Sequence, residues 1–159
     1  MSGNLATVLL RHRWRGRSHF DWLIDAPPDP ESNPWGPAPG ATGSAGDHAR
    51  ALRAWRLQVP PWQWSQYRIF PLVPLDPHRR RYLNYQGPVA GDRGQVWRVD
   101  CGTVVVSPEP GSCWLLRVEL KHFRGRLRLH RGAEGAWRAE ILGAGPIPRA
   151  CWSPARGDL

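Results

Sequence analysis

The sequence predicts an all-β protein that forms a small closed or nearly closed β-barrel with little helix. Three observations favour this fold class. Apolar and polar residues alternate with a period of two in many short segments, glycine-containing turns separate these segments, and no long amphipathic helical pattern occurs. Short antiparallel strands at this spacing are typical of barrels and sandwiches. The length of 159 residues fits one domain with one hydrophobic core.

The N-terminal part predicts a β-hairpin. Residues 6–12 and 19–25 carry the two strand patterns, and a basic turn that contains glycine separates them. Side chains on a strand alternate between its two faces, so His19 and Asp21 lie on one face of the second strand. The hairpin can bring His12 beside them from the neighbouring strand.

The middle of the chain is less regular. A loop insertion rich in proline and glycine is predicted at 26–46, where Trp35 is placed to hold it against the rest of the protein. A short helical turn after this insertion leads into a strand predicted at 52–59. The segment 62–73 is ambiguous, because prolines interrupt its aromatic residues.

The C-terminal half predicts strands throughout. We expect a single β-barrel domain at 1–145 and a C-terminal tail at 146–159. The alternation of apolar and charged residues is clearest in the last three predicted strands. The strands predicted in this half are 95–100, 102–107, 113–121, 124–131 and 136–142.

The chain is strongly basic, and almost all of its positive charge is arginine. Basic residues number 22 against 13 acidic residues, the formal net charge is +9, and Lys121 is the sole lysine. A guanidinium binds phosphate through paired hydrogen bonds and stacks on aromatic rings, so this composition favours a nucleic-acid partner. A genome rich in G and C would also replace lysine by arginine. The ten tryptophans argue against a disordered chain, because each needs burial or a stacking partner.

Cysteine content and hydropathy indicate the compartment. The three cysteines are widely spaced and form no CxxC pair, which indicates neither a disulfide framework nor a structural zinc site. No apolar run has the length of a signal-peptide core or a membrane span. We therefore expect a soluble cytoplasmic protein without a membrane partner.

The His19-x-Asp21 pair offers metal-binding chemistry. On a strand it presents an imidazole nitrogen and a carboxylate oxygen side by side, and His12 adds a third donor while leaving room for water and substrate. A hydrogen-bonded surface pair is the simpler interpretation of these two residues taken alone. Three other histidines have no partner at a comparable spacing and are expected to be solvated: His48, His122 and His130.

Four short blocks occur in order along the chain. They are His12 with His-Phe-Asp at 19–21, Leu-Arg-Ala-Trp at 52–55, the run from His78 to Gly87, and the run at 92–103 that ends in Asp-Cys-Gly-Thr. Together they resemble the 3′-phosphoesterase domain of bacterial and archaeal DNA ligase D, which also exists as a standalone protein. The resemblance covers about residues 6–142, most of the chain.

The resemblance implies a manganese-dependent phosphoesterase that removes a 3′-phosphate or a terminal 3′-ribonucleoside in DNA end repair. Carried over residue by residue, His12, His19 and Asp21 are the metal ligands, with Zn²⁺ or Co²⁺ as alternatives to Mn²⁺. His78 and Tyr82 are the catalytic residues that engage the phosphate. The expected partners are DNA or RNA–DNA primer 3′ ends and a repair ligase or polymerase, and we expect the protein to be a monomer.

Arginines are expected to hold the scissile phosphate or its neighbour. The candidates are Arg53 and Arg68, from the resemblance, Arg79 beside His78, and Arg15 and Arg17 in the hairpin turn. Leu23 stands where longer members of the family carry an arginine, and the turn arginines can supply that charge. Two alternatives remain: a catalytically degenerate nucleic-acid-binding module of the same fold, and a structural partner protein with a tryptophan-rich surface.

Overall fold

The computed structural model describes residues 3–27, 33–35 and 52–146, which contain nine strands of one antiparallel sheet. The strands are β1 (Leu5–Trp14), β2 (Arg17–Ile24), β3 (Leu52–Leu57), β4 (Ile69–His78), β5 (Gly87–Pro88), β6 (Gln95–Glu109), β7 (Cys113–Leu120), β8 (Arg124–Arg131) and β9 (Trp137–Ala144). Their order is β1-β2-β3-β4-β9-β8-β7-β6-β5, and β1 also pairs with β6. This pairing joins eight strands in a ring, which confirms the predicted all-β, nearly closed barrel.

Helices contribute little to the described part of the chain. None of them has the length and apolar character needed to cross a bilayer. The predicted helical turn at 47–51 and most of the predicted insertion and tail lie outside the described residues. The helices present are three short 3₁₀ segments: Pro61–Gln66, Arg80–Leu83 and Ala133–Gly135.

The predicted β1–β2 hairpin is confirmed, with a tighter turn than the pattern indicated. Both strands extend until only Arg15 and Gly16 lie between them. Their φ angles of 51° and 75° are those of a two-residue turn whose twist matches that of the flanking strands. This turn fixes the register, so that His12 lies directly opposite His19.

Two strands change partners along their length. In β4, residues 69–72 pair with β9 and residues 73–78 pair with β3, so each half has a free edge that tolerates prolines, which lack an N–H. This explains why 62–73 was ambiguous. The strands predicted at 95–100 and 102–107 form one continuous strand, β6, which pairs with β1 and then with β7. The predicted break between them was wrong.

Tryptophans fill the larger of two hydrophobic cores. This core contains residues from β1 to β4 and from β6 to β9, and therefore occupies the barrel interior. Its rings contact each other, as in the Trp114–Trp137 pair, whose centroids lie 5.1 Å apart in a stacked arrangement. Trp35 from the predicted insertion is buried among them, as expected. Six tryptophans belong to this core: Trp22, Trp35, Trp55, Trp64, Trp114 and Trp137.

A second, smaller core lies on the outer face of β1, β2 and β3. Leu9 and Trp22 point into the barrel, so alternation turns Leu10 and Leu23 outward. Residues 79–89, the covering segment, pack over this face, and Arg80 donates a 2.8 Å hydrogen bond to Asp25 after β2. The buried members of this core are Val8, Leu10, Leu23, Leu52, Ala54, Tyr82 and Val96.

The outer core predicts a large stability cost for Leu23→Ala. Leu23 is fully buried, so truncation removes apolar contacts and leaves a cavity. The free energy of unfolding should fall by about 2–5 kcal/mol, as measured by urea denaturation. Val73→Ala is the control, because Val73 on β4 is 54% exposed and should cost under about 1 kcal/mol. Equal costs at the two positions would contradict a packed outer core.

Candidate metal centre

His12, His19 and Asp21 converge on the outer face of the β1–β2 hairpin. The register places His12 opposite His19 and Leu10 opposite Asp21, so the three side chains occupy adjacent positions on one face. One donor atom from each lies within 4.8 Å of the others. Within residues 3–27, 33–35 and 52–146, no other group of three His, Cys, Asp or Glu residues has such a spacing.

A backbone hydrogen bond orients the His12 ring. Its Nε2–H donates to the carbonyl oxygen of Arg93 at 2.6 Å, so a neutral His12 ring carries its lone pair on Nδ1. Nδ1 lies 3.3 Å from Oδ2 of Asp21, which is also an acceptor. Two acceptors at this distance need a proton or a cation between them. Metal-bound histidines commonly donate their second N–H to a backbone carbonyl in the same way.

His19 meets the other oxygen of the same carboxylate. Its Nε2 lies 3.0 Å from Oδ1 of Asp21, but the atoms are not oriented for a hydrogen bond. Both atoms are buried, and neither has a hydrogen-bond partner among the described residues. Burying polar atoms without partners is unfavourable. A divalent cation would satisfy them, and two imidazoles with one carboxylate are a suitable donor set for Mn²⁺ or Zn²⁺.

The two imidazoles control the charge of Asp21. Burial alone would raise the pKa of this carboxyl, but the adjacent His12 and His19 rings overcome that effect and hold it at about 2. The contact with Asp21 in turn raises the pKa of His12 above its ordinary 6.5, against the effects of burial and of Arg56. Asp21 is therefore an ionised donor at neutral pH.

Gly94 allows the backbone to reach His12. Its φ is +84°, and a Cβ atom at this position would lie 2.0 Å from the carbonyl oxygen of Arg13 on β1. Glycine is the residue that permits this approach, which brings the preceding carbonyl of Arg93 onto the His12 ring. The glycine of the fourth sequence block thus has a positioning role beside the candidate centre.

A cleft of about 530 Å³ opens beside the three donors. His12 and Asp21 line one side, and His78 and Tyr82 line it from the end of β4 and the covering segment. The Nδ1–H of His78 donates to the carbonyl of Asp76 at 2.9 Å. The other ring nitrogen, Nε2, is not used in this hydrogen bond. The His78 and Tyr82 rings meet edge to face, with centroids 5.7 Å apart. The structure thus brings these two residues and the candidate ligands to one site.

The predicted arginines are distributed differently. Arg79 lines the cleft, whereas the Arg15 guanidinium lies 4.6 Å from the ring centroid of Trp14 at the hairpin turn. Arg53 does not reach the cleft: it lies on the opposite face of β3, with its guanidinium 5.9 Å from the ring centroids of Trp35 and Trp55 in the barrel core. Two others are exposed and do not line the cleft: Arg17 and Arg68.

Arg81 lines the cleft beside Arg79, and so do two arginines that the sequence analysis did not select: Arg56 and Arg93. Arg56 pairs in register with Asp21 on the adjacent strand, so it supplies positive charge on the site-facing side of β3. Strand alternation gives the direction of the Arg56 side chain: Trp55 points into the barrel, so the next residue, Arg56, must point outward. Leu23, where the resemblance expects arginine, is buried in the outer core.

Two of the other histidines have partners, contrary to the expectation from spacing. His122 Nδ1 lies 3.0 Å from Oδ2 of the buried Asp100. His130 lies between the thiol of Cys113 and the carboxylate of Glu140, each at 3.3 Å. His122 contacts β6 from the β7–β8 turn, and the partners of His130 lie on the adjacent strands β7 and β9. These contacts depend on strand register, which a spacing rule cannot detect. His48 lies outside the described residues.

No protein-family model matches the chain, and no curated protein matches it. The interpretation of the site therefore depends on its own geometry and on the motifs that carry the resemblance.

Asp21 predicts an acid-sensitive contribution to the stability of the metal-free protein. Its pKa falls from 3.8 to about 2 on folding, so the folded chain favours the ionised carboxylate. The resulting stabilisation is present above the unfolded pKa and is lost as the pH falls through the folded pKa. A shift of this size corresponds to about 2 kcal/mol.

The measurement is urea denaturation of the wild type and Asp21→Asn between pH 5 and pH 2, with a chelator present. His12 is protonated throughout this range, because its pKa is raised. The difference in unfolding free energy between the two proteins should shrink by about 2 kcal/mol towards low pH. A difference that stays constant with pH would show that Asp21 is not a stabilised carboxylate.

Proposed function

We propose that this protein is a metal-dependent phosphoesterase that acts on nucleic-acid 3′ ends, removing a 3′-phosphate or a terminal 3′-ribonucleoside in DNA end repair. One observation carries the proposal. Buried atoms of His19 and Asp21, neither with a hydrogen-bond partner among the described residues, face each other beside His12, at the wall of an arginine-lined cleft that also contains His78 and Tyr82. Ligand set, proton donor and anion-binding groups thus share one cleft.

Three side chains would hold the ion: His12, His19 and Asp21. When bound, a divalent cation such as Mn²⁺, or alternatively Zn²⁺ or Co²⁺, polarises a phosphoryl oxygen and lowers the pKa of a bound water. The carbonyl of Arg93 fixes the His12 ring so that Nδ1 faces the ligand position. Asp21 contributes the negative charge that favours binding of a divalent cation.

The remaining groups of the cleft act on the phosphate ester. Arg56, Arg79 and Arg93 line the cleft and attract the phosphate, and a guanidinium can hold two of its oxygens at once. His78 keeps one ring N–H on the carbonyl of Asp76, so Nε2 can carry a proton to a non-bridging or leaving oxygen. Tyr82 supports the His78 ring edge to face and orients the same oxygens through its hydroxyl.

The net charge of +9 supports a polyanionic substrate over a small phosphate ester. Removal of a 3′-phosphate leaves a 3′-hydroxyl, which is the group that a ligase or polymerase requires. We therefore propose such enzymes as its partners in repair. A monomer acting in the cytoplasm is the simplest form of this proposal.

Metal binding is the first test. Mn²⁺ should stabilise the wild-type protein against thermal unfolding, by about 2.7 kcal/mol at a concentration 100 times its Kd. Asp21→Asn should abolish this stabilisation. His130→Gln is the matched control, because His130 also contacts a carboxylate but lies on β8, away from the cleft. A Mn²⁺ effect that survives Asp21→Asn would exclude the proposed ligands.

Activity is the second test, using a primer–template with a 3′-phosphate and added Mn²⁺. His19→Ala should remove both product formation and the Mn²⁺-dependent stabilisation. His78→Ala should lower kcat about 10²–10⁴-fold while the stabilisation by Mn²⁺ remains, because His78 acts on the ester and not on the metal. Arg56→Ala should raise KM more than it lowers kcat.

The same experiment separates the proposal from its alternative. Absence of metal-dependent product from folded protein, or full activity in His19→Ala, would overturn the catalytic function. Tight, salt-sensitive DNA binding that responds neither to chelator nor to Asp21→Asn would then identify a non-catalytic nucleic-acid-binding module.

A further inference from the structure

Two exposed tryptophans lie beside the cleft. Trp14 and Trp97 are 41% and 40% exposed, whereas six of the other tryptophans are buried in the barrel. Both line a shallow depression of about 460 Å³ where the β1–β2 turn meets the start of β6. Adjacent exposed apolar side chains can mark an interaction site.

The Trp14 ring is held in place before any ligand arrives. Its Nε1–H donates to the carbonyl of Asp92 at 2.8 Å, and the Arg15 guanidinium lies 4.6 Å from its ring centroid. Trp97 sits on β6 opposite Arg11 and has no ring contact among the described residues. Ordered aromatic rings cost little entropy on binding, which suits them for stacking.

The charge around the depression is positive. Arg13 and Arg15 line it, and neither forms an ion pair with a carboxylate in the described part of the chain. Asp92 is the acidic residue in its lining. Aromatic faces interleaved with arginines are typical of surfaces that bind unpaired nucleic acid.

The depression meets the cleft at Trp14, and Trp97 lies on the opposite face of β6 from Val96, which lines the cleft. Trp14 lines both the depression and the cleft, and its neighbour Arg13 pairs with Gln95 across the β1–β6 ladder. A strand with its terminal phosphate in the cleft would reach Trp97 by bending around Trp14, where the cleft and the depression meet.

We propose that Trp14 and Trp97 stack on unpaired bases next to the phosphate bound in the cleft, with Arg13 and Arg15 contacting the backbone. The substrate class is then a 3′ end whose last nucleotides are single-stranded or frayed. A base inside a duplex has both faces covered by its neighbours, so it offers no face to an indole. This inference rests on the proposed function for the location of the phosphate.

The test measures binding without catalysis. The probe is a fluorescein-labelled oligonucleotide with a 3′-phosphate, used single-stranded and as a blunt duplex, and its anisotropy is recorded in chelator at fixed salt. Trp97→Ala should weaken single-strand binding about tenfold and leave duplex binding unchanged. Trp97→Phe should restore most of the affinity. Unchanged thermal midpoints establish that the variants are folded.

Trp62→Ala is the matched control. Trp62 is 46% exposed but packs against Phe20, with ring centroids 5.9 Å apart, and lines neither the cleft nor the depression. The Trp62→Ala variant should bind the single-stranded probe with the same affinity as the wild type. Equal affinity of Trp97→Ala and the wild type, or an equal loss for single strand and duplex, would overturn the inference.

The two proposals can fail separately. Trp97-dependent binding of the single strand, without metal-dependent hydrolysis, would support the stacking surface and reject the phosphoesterase. If Trp97→Ala hydrolyses a single-stranded 3′ end as fast as the wild type, the phosphoesterase is supported and the stacking surface is rejected. The exposed tryptophans would then be assigned to a protein partner.

Discussion

The pairing of β1 with β6 is the constraint on which the rest of the structure depends. It closes eight strands into a ring, and so lets the tryptophans exclude water from the barrel interior. The same pairing brings the turn before β6 against the end of β1, where the Arg93 carbonyl accepts from His12. Barrel closure and the orientation of the His12 ring thus share one set of backbone contacts. A change that loosened this ladder would disturb stability and the site together.

Six indoles pack in the barrel interior, within the described part of the chain. The polar cluster lies instead on the outer face, between the hairpin and the covering segment. Arg80 holds this segment to Asp25, while its neighbours Arg79 and Arg81 line the cleft. Arg80 therefore has a structural role, whereas Arg79 and Arg81 can contact an anion in the cleft. Consecutive charges can therefore have different roles, which depend on the direction of each side chain.

The sequence was sufficient for the features that local spacing controls. Alternation located the hairpin, and His12, His19 and Asp21 could be grouped because they lie on facing sides of its two adjacent strands, although the turn is shorter than the pattern indicated. Pairing between distant strands was not accessible in the same way. Arg56 reaches the cleft through its register with Asp21, and Arg53 points into the barrel for the same reason. The covering segment was recognisable as a motif, but its position over β1 to β3 follows from tertiary packing.

The burial of Trp35 constrains the connection between β2 and β3. Its indole lies between those of Trp55 and Trp114, with ring centroids 5.1 Å and 5.6 Å away, and the carbonyl of Pro34 accepts from Trp114. A shorter connection that lacked this residue would leave an indole-sized void in a close-packed interior. The length of this connection is thus tied to the volume of the barrel. A homologue with a tight turn here would need larger side chains elsewhere to fill the same space.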